Sequence, residues 1–385
     1  MFFFTPIVGL CLFGEPPAIE NRALHPFPSL SQGWGFFTAL GPWAVDNLPF
    51  RLGAIQASDK ISRGLFGEPP SLGAGGSEVA PGATVGDAQP HDTVYPKVIE
   101  GRDGWMYYGE DMHAKCQPRE SLDDVLAEVI RFKAAVEKSG RRFVLVVPPD
   151  KSTAVPDRLP DQYAGKDCAA ALRDRFWPRI TSQAGAVDLR STLNQEAART
   201  GSPLYFPQDS HWTFAGGLLM VRAVVDTIES GVDQTWKVAK SGPYSGEADL
   251  PPLLGRTGVD STDRYSLAPD GTVDRTQQGL YDARKVTSFH TDGPVTGMIG
   301  GRTTWFGDSF TTYATPFIAA AFTDASIIQE GALEADPARA AQYAVDSDTI
   351  VVEMVERGIA PGVSVLLQPA VLDAVATAVA AHPRK

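Results

Sequence analysis

Of the chain's six histidines, one has neighbours suited to chemistry. His211 follows Asp209 by two residues within PLYFPQDSHWTFAGG (203–217), and aromatic residues flank the pair. In extended chain, residues i and i+2 share a face, so the carboxylate and the imidazole can converge. A carboxylate that fixes one tautomer turns the ring into a general base, provided a nucleophile lies within reach. Three readings stay open for the stretch alone: a structural histidine among aromatics, a metal ligand, or the base of a triad. The metal reading is short of ligands, because one His and one Asp stand without any HxxH or HxxxH.

A candidate nucleophile lies about a hundred residues later, in TTWFGDSFTTYATPF (303–317). An apolar run ends in Gly307-Asp308-Ser309 and a helix is expected to follow. In doubly wound sheets, ligands bind beyond the carboxyl ends of the strands. Ser309 is expected at such an end and at a helix start, where backbone N–H groups can stabilise an oxyanion. Gly307 would let the backbone turn and a substrate approach, and Asp308 would support the turn. The bland alternative for Ser309 is a helix N-cap. Four further residues are candidates for substrate contact: Tyr313, one turn into that helix; Trp212, beside the histidine; and Lys151 and Arg357, both at strand ends. Core packing is the competing reading for the two aromatics, and a surface ion pair for the two cations.

These residues need a scaffold, and the chain supplies an alternating pattern. A helix is expected over 120–139, a buried strand in RRFVLVVPPDK (141–151), a helix over 168–184, and a second strand in AVDLR (186–190). Helices over 191–200 and 214–230 follow. The pattern resumes with a strand at 301–310, a helix over 312–323, a strand at 325–329 and a helix begun by Asp336-Pro337. It closes with a strand at 348–357 and a helix over 363–381. The fold class is therefore α/β, a doubly wound parallel sheet with helices on both faces. The intervening 240–292 is polar and turn-rich, and reads as an insertion with little sheet. An Asp103-Gly104 turn marks a hairpin within 101–109.

Upstream, residues 15–66 read as a helical lead-in with one or two helices in 31–66, residues 67–96 as a flexible Gly/Pro/Ala-rich linker, and residues 97–385 as the catalytic domain. Residues 1–14 (MFFFTPIVGLCLFG) are too few for the roughly 20 that a spanning helix needs and lack a basic flank. They read as the remnant of an anchor or signal segment, which implies export and membrane association through the N-terminus. With 34 basic and 46 acidic residues the net charge is −12, which argues against nucleic acid as a partner. The cysteines are Cys11, Cys116 and Cys168, with no zinc-site spacing; Cys116 and Cys168 form either a pair or two separate thiols. No cofactor is called for.

The ordered set VIEGRDGWMYYG (98–109), VVPPDKSTAVPDRLP (146–160), YFPQDSHWTFAGG (205–217), TTWFGDSF (303–310) and VVEMVERGI (351–359) resembles the alginate O-acetyltransferase (AlgX/AlgJ-like) group of SGNH hydrolase-like proteins. The resemblance implies a flavodoxin-like α/β/α sheet and an exported, membrane-associated protein. It implies transfer of an acetyl group to a polysaccharide, with a membrane-bound O-acyltransferase as acetyl supplier. It places Asp209 and His211 in the family's D-x-H motif and Ser309 in its GDS motif. The order Asp–His–Ser, opposite to that of ordinary SGNH esterases, fits this group. The expected architecture is the AlgJ type, without a C-terminal carbohydrate-binding module. Rival readings are an exported acetyl esterase with the same triad and a non-catalytic polysaccharide-binding protein.

Overall fold

The computed structural model describes residues 27–29, 33–47, 51–66, 95–277 and 284–384. The apolar segment 1–14 and all of the expected linker except residues 95 and 96 lie outside the described residues. Ten strands are described: β1 (Val98–Glu100), β2 (Met106–Tyr108), β3 (Arg142–Val147), β4 (Val187–Asp188), β5 (Lys237–Glu247), β6 (Val259–Ala268), β7 (Thr287–His290), β8 (Ile299–Gly307), β9 (Phe322–Gln329) and β10 (Thr349–Glu353). Six of them form one sheet in the order β4-β3-β10-β8-β9-β7.

All neighbours in that sheet run parallel except β7, which pairs antiparallel with β9. The sheet is thus the expected doubly wound type with one antiparallel edge strand. If β8 is counted first, then β9, β10, β3 and β4 in turn, the order becomes 5-4-3-1-2. That is the flavodoxin order 2-1-3-4-5 seen from the other edge. The winding is flavodoxin-like, but the chain enters it at the fourth strand. The switch point, where such sheets open a cleft, falls between β8 and β10. Ser309 follows β8 and Arg357 follows β10.

Strand residues alternate between two cores, as a period of two requires. Val144 and Val146 of β3, Trp305 of β8 and Val351 of β10 join one apolar cluster, with Val221 and Val224 of the helix Phe214–Ile228 and Phe317 and Ile318 of the helix Thr315–Ala321. Phe143, Leu145, Val147, Phe306, Ile350 and Val352 join the other, with the helices Leu122–Lys138, Lys166–Arg179, Pro337–Asp346 and Pro369–Ala381. The helix Leu122–Lys138 begins at Ser121, whose side chain accepts from the Asp124 amide. Pro337 opens its helix with Asp336 as cap, the side chain accepting from the Arg339 amide.

The region 240–292 departs from expectation. It carries a long antiparallel pair, β5 with β6, and the edge strand β7. Its polarity misled because β5 is half-exposed along its whole length, so no apolar face marks it as a strand. The helix expected over 312–323 is shortened to the seven residues Thr315–Ala321, preceded by a single 3₁₀ turn (Ser309–Thr311) and followed directly by β9. Asp103 and Gly104 both take positive φ, 55° and 78°, at the turn between β1 and β2. Cys116 and Cys168 form a disulfide that ties the helix Glu110–Cys116 to the start of Lys166–Arg179. Among the described residues, no helix is long and apolar enough to cross a membrane.

Candidate active site

The histidine loop is a tight strap. Tyr205 bridges Trp212, the Phe206 amide donates to the His211 carbonyl (3.1 Å), and the Thr213 amide donates to the Leu204 carbonyl (2.7 Å). Asp209 lies at the tip. Its Oδ1 accepts two bonds from His211, one from the backbone N–H (2.9 Å) and one from the ring Nδ1–H (2.7 Å). Because the carboxylate can only accept, Nδ1 carries the proton and Nε2 is left with its lone pair. That Nε2 accepts from the Ser309 hydroxyl at 2.7 Å.

Two glycines let the loop reach the serine turn. A side chain at Gly217 would meet the Tyr313 carbonyl at 2.6 Å, and one at Gly216 would meet the Trp212 side chain at 2.7 Å. Bulk at Gly217 would drive the helix Phe214–Ile228 away from Tyr313 and Ala314, and bulk at Gly216 would press on Trp212 within the loop. Gly307 has a similar reason. Its φ lies outside the left-handed region, so turning does not require glycine there. A Cβ would meet Thr311 at 2.5 Å and Glu353 at 2.9 Å. The serine turn is held by Asp308, whose carboxylate accepts from the Phe310 amide (2.8 Å) and the Val355 amide (2.7 Å). The Asp308 amide donates to Glu353 (3.0 Å). Burial and the neighbouring Asp308 push the Glu353 carboxyl well above its usual range.

Those bonds leave few donors for an oxyanion. The amides of Asp308, Phe310 and Thr311 are all engaged within the protein. The Ser309 amide has no acceptor among the described residues. Beside it, a cavity of about 150 Å³ is lined by Tyr108, Ser210, His211, Asp249, Leu250, Leu253, Ser309 and Arg357. Arg357 is the one cation on this wall. Its guanidinium lies over the Tyr108 and Phe310 rings (5.5 and 5.3 Å), and its Nη1 lies 3.6 Å from both Asp111 and Asp150 without a hydrogen bond among the described residues. Burial alone would lower its pKa, but Asp111 and Asp150 more than offset this and hold it charged.

Asp249 was not legible as a site residue. It is 38 residues downstream of His211, in the region expected to be a mere excursion, with no motif around it. Its carboxylate accepts from the Ser210 amide (2.7 Å) and the Ser210 hydroxyl (2.6 Å), and lies 3.6 Å from His211 Nδ1. Burial and the nearby Asp209 raise its pKa. For His211, burial lowers the pKa, but Asp209 and Asp249 outweigh it and the net shift is upward. For Asp209, burial raises the pKa, and the charge and hydrogen bonds of His211 reverse this to a net lowering. Asp209, His211 and Asp249 bring three potential metal-ligand atoms within 4.8 Å. Both ring nitrogens and both Asp249 oxygens are, however, already used in hydrogen bonds within the protein.

Three of the residues expected at the substrate are elsewhere. Trp212 is fully buried and its Nε1–H donates to the Phe310 carbonyl (3.0 Å), joining the two motifs from behind. It has no surface on which a sugar could stack. Tyr313 packs among Phe206, Phe214 and Tyr244 (5.0, 5.2 and 6.1 Å) and does not line the cavity. Lys151 is 1% exposed, and its ammonium points at the histidine loop instead of the cavity. Strand-end position could not reveal this, since a lysine there can extend outward or fold beneath the next loop. Arg357 alone of the four reaches the cavity.

Residues 98–284 match the family model described as "SGNH hydrolase-like domain, acetyltransferase AlgX". The chain is AlgX/AlgJ-like. The matched stretch takes in Asp209, His211 and Asp249 and ends before Ser309. This AlgX/AlgJ-like chain is 24% identical over 164 residues to the probable alginate O-acetylase AlgJ of Pseudomonas putida, covering 40% of this chain and 41% of that protein. It is 30% identical over 156 residues to the protein of the same name in Pseudomonas syringae pv. tomato, covering 40% of this chain and 36% of that protein. The chain thus spans about two fifths of the length of the curated relatives it matches. Among solved structures, the O-acetyltransferase domain of Pseudomonas putida AlgJ is similar at 17% identity and a TM-score of 0.48, covering 69% of this chain and 93% of that one.

Proposed function

We propose that this AlgX/AlgJ-like chain is an O-acetyltransferase that passes an acetyl group through Ser309 to hydroxyls of an exported polysaccharide. The observation that carries the reading is the continuous relay from Asp209 to His211 to Ser309, 2.7 Å at each link, opening on a cavity. In the first half-reaction the Ser309 hydroxyl gives its proton to His211 Nε2, and Oγ attacks the carbonyl carbon of an acetyl donor. The Ser309 N–H and the Arg357 guanidinium face the negative charge on the tetrahedral oxygen. The donor's oxygen leaves with the proton from His211. In the second half, a sugar hydroxyl attacks acetyl-Ser309, with His211 as base again, and Oγ recovers its proton. Asp209 stabilises the imidazolium in both halves, and removal of one oxyanion donor typically costs about 10²–10³ in rate.

Polysaccharide is taken as acceptor because the matching proteins are named as acetylases of alginate. The disulfide between Cys116 and Cys168 is consistent with an extracytoplasmic site of action, where such bonds persist. Membrane association through the N-terminal segment and acetyl supply by a membrane-bound O-acyltransferase complete the proposal. The test is to incubate the purified chain with 4-nitrophenyl acetate, with and without oligosaccharide acceptors. Expected are a burst of nitrophenol, an acetyl mass increment on the peptide containing Ser309, and acetylated sugar. Release of acetate alone, indifferent to every acceptor, would make the chain an esterase. Absence of both burst and adduct, with Ser309→Ala matching the wild type, would refute both enzyme readings.

A further inference from the structure

Among the described residues, Lys151 is the most deeply buried cation that the proposed reaction does not use. Its Nζ donates to three backbone carbonyls of the histidine loop: Phe206 (2.8 Å), Pro207 (2.9 Å) and Asp209 (2.9 Å). Beneath it lie the Trp105 and Tyr107 rings, each 5.3 Å from Nζ, brought there by the hairpin of β1 and β2. The same hairpin bonds the loop directly, through the Met106 amide to the Pro207 carbonyl (2.8 Å). The loop folds its carbonyls around the ammonium as it would around a bound cation. Three donors meet three acceptors; the bonds to Phe206 and Asp209 are buried and that to Pro207 is part-buried.

We propose that Lys151 is a positioning residue for acyl transfer: its ammonium fixes the 206–209 backbone so that Asp209 holds His211 against Ser309. This rests on the proposed function above and adds a requirement, that the amine be charged. A neutral amine has only two N–H donors, so it must release one carbonyl of the loop. The charged groups facing Lys151 are Asp249, Asp209, Asp260 and Asp111, all of which favour the ammonium. Burial is the larger effect and brings its pKa down to about 8. An unfolded lysine holds its proton to roughly pH 10.4, so between these values the unfolded chain binds more protons than the folded one. This group's contribution to stability therefore rises with pH across that window. Acylation should fall over the same window. Alkaline loss of the site without loss of the fold separates a positioning lysine from a merely structural one.

Two measurements on the full chain decide it. The first follows the downfield Nδ1 proton of ¹⁵N-histidine-labelled protein, which reports the Asp209–His211 bond and needs no turnover. In wild type and in Ser309→Ala it should broaden or shift with a midpoint near pH 8 while circular dichroism is unchanged. The second is the acylation burst in Lys151→Met and Lys151→Arg. Met should lower the burst rate about 100-fold with KM within 3-fold, and should remove the alkaline limb. Arg, whose planar fork cannot converge on one point, should restore less than a tenth of the rate. A His211 signal constant to pH 10 in wild type would overturn the proposal even if neither variant folds. So would Lys151→Met acylating within 3-fold of wild type with the same alkaline limb. If wild type shows no acylation but its His211 proton titrates as stated, the catalytic reading fails and the clamp stands.

Discussion

Replacing Asp209 by Asn separates two jobs that the carboxylate does at once. A single oxygen, Oδ1, accepts both the His211 amide and the ring Nδ1–H. An Asn whose amide oxygen takes that place keeps both bonds and hence the tautomer; only the charge goes. The charge matters once His211 has taken the serine proton and become an imidazolium. At a charge separation of about 4 Å and an effective dielectric near 20, the pair is worth about 4 kcal/mol. With 1.36 kcal/mol per factor of ten, Asp209→Asn should slow acylation about 10³-fold. Asp209→Ala, which also frees the ring, should approach about 10⁴-fold. The pH profile gives an independent sign. His211 must be neutral to act, so the rate climbs as pH rises through its pKa. Asp209 is the main influence holding that pKa above the ordinary 6.5 against burial. The wild-type acid limb should therefore lie above pH 6.5 and move to lower pH in Asp209→Asn. Stopped-flow nitrophenol bursts between pH 5 and 8 measure both quantities. Asp209→Asn within tenfold of wild type, or an acid limb that does not move, would refute a charge-stabilised imidazolium at this site.

Further expectations follow from neighbouring contacts. Arg357→Lys should cut the acylation rate by at least 10²-fold with little change in KM, because an ammonium cannot reproduce the forked donor beside the Ser309 amide; an unchanged burst rate would remove Arg357 from the oxyanion role. Trp212→Phe leaves the buried Phe310 carbonyl without its donor and should lower stability by about 1–3 kcal/mol in urea unfolding, with acceptor KM within twofold, whereas a sugar-stacking Trp would raise KM. Replacing both Cys116 and Cys168 by Ser opens a loop with a sequence separation of 52 residues, and chain entropy gives a loss of about 4 kcal/mol, read as a lower melting temperature matched by reduced wild type.

The two motifs and their order were readable because their chemistry is local. Asp209 and His211 are two residues apart in extended chain, and Ser309 ends an apolar strand. The alternation that predicted the sheet was equally local, as in RFVLVV of β3, where successive residues feed opposite cores. What escaped was set by long-range packing. Asp249 reaches Ser210 only because the polar region after residue 240 folds back as a sheet. Lys151 and Trp212 looked available from their positions, yet both are enclosed by elements from distant parts of the chain. Lys151 lies under residues 206–209, and Trp212 behind residue 310. The role of Gly307 was misjudged for a related reason: its constraint comes from Glu353 and Thr311, not from its own dihedral angles.

The strand order also bears on how the molecule comes into being. β10 lies between β3 and β8 and pairs with both, yet it is synthesised after both. Until it arrives, β3 and β4 form a two-stranded parallel fragment, which is too small to be stable alone, while β8, β9 and the edge strand β7 form a separate three-stranded one. Each fragment has an open apolar edge that can recruit the wrong neighbour. The histidine loop is held to the β3 side through Lys151 and to the serine turn through Trp212, so the central strand fixes both of its anchors on one frame. A nascent chain, or one cut short before residue 349, lacks that frame and keeps open strand edges, which favour aggregation. A chaperone that shields β3 until residue 353 has been made would act on this one unfinished seam.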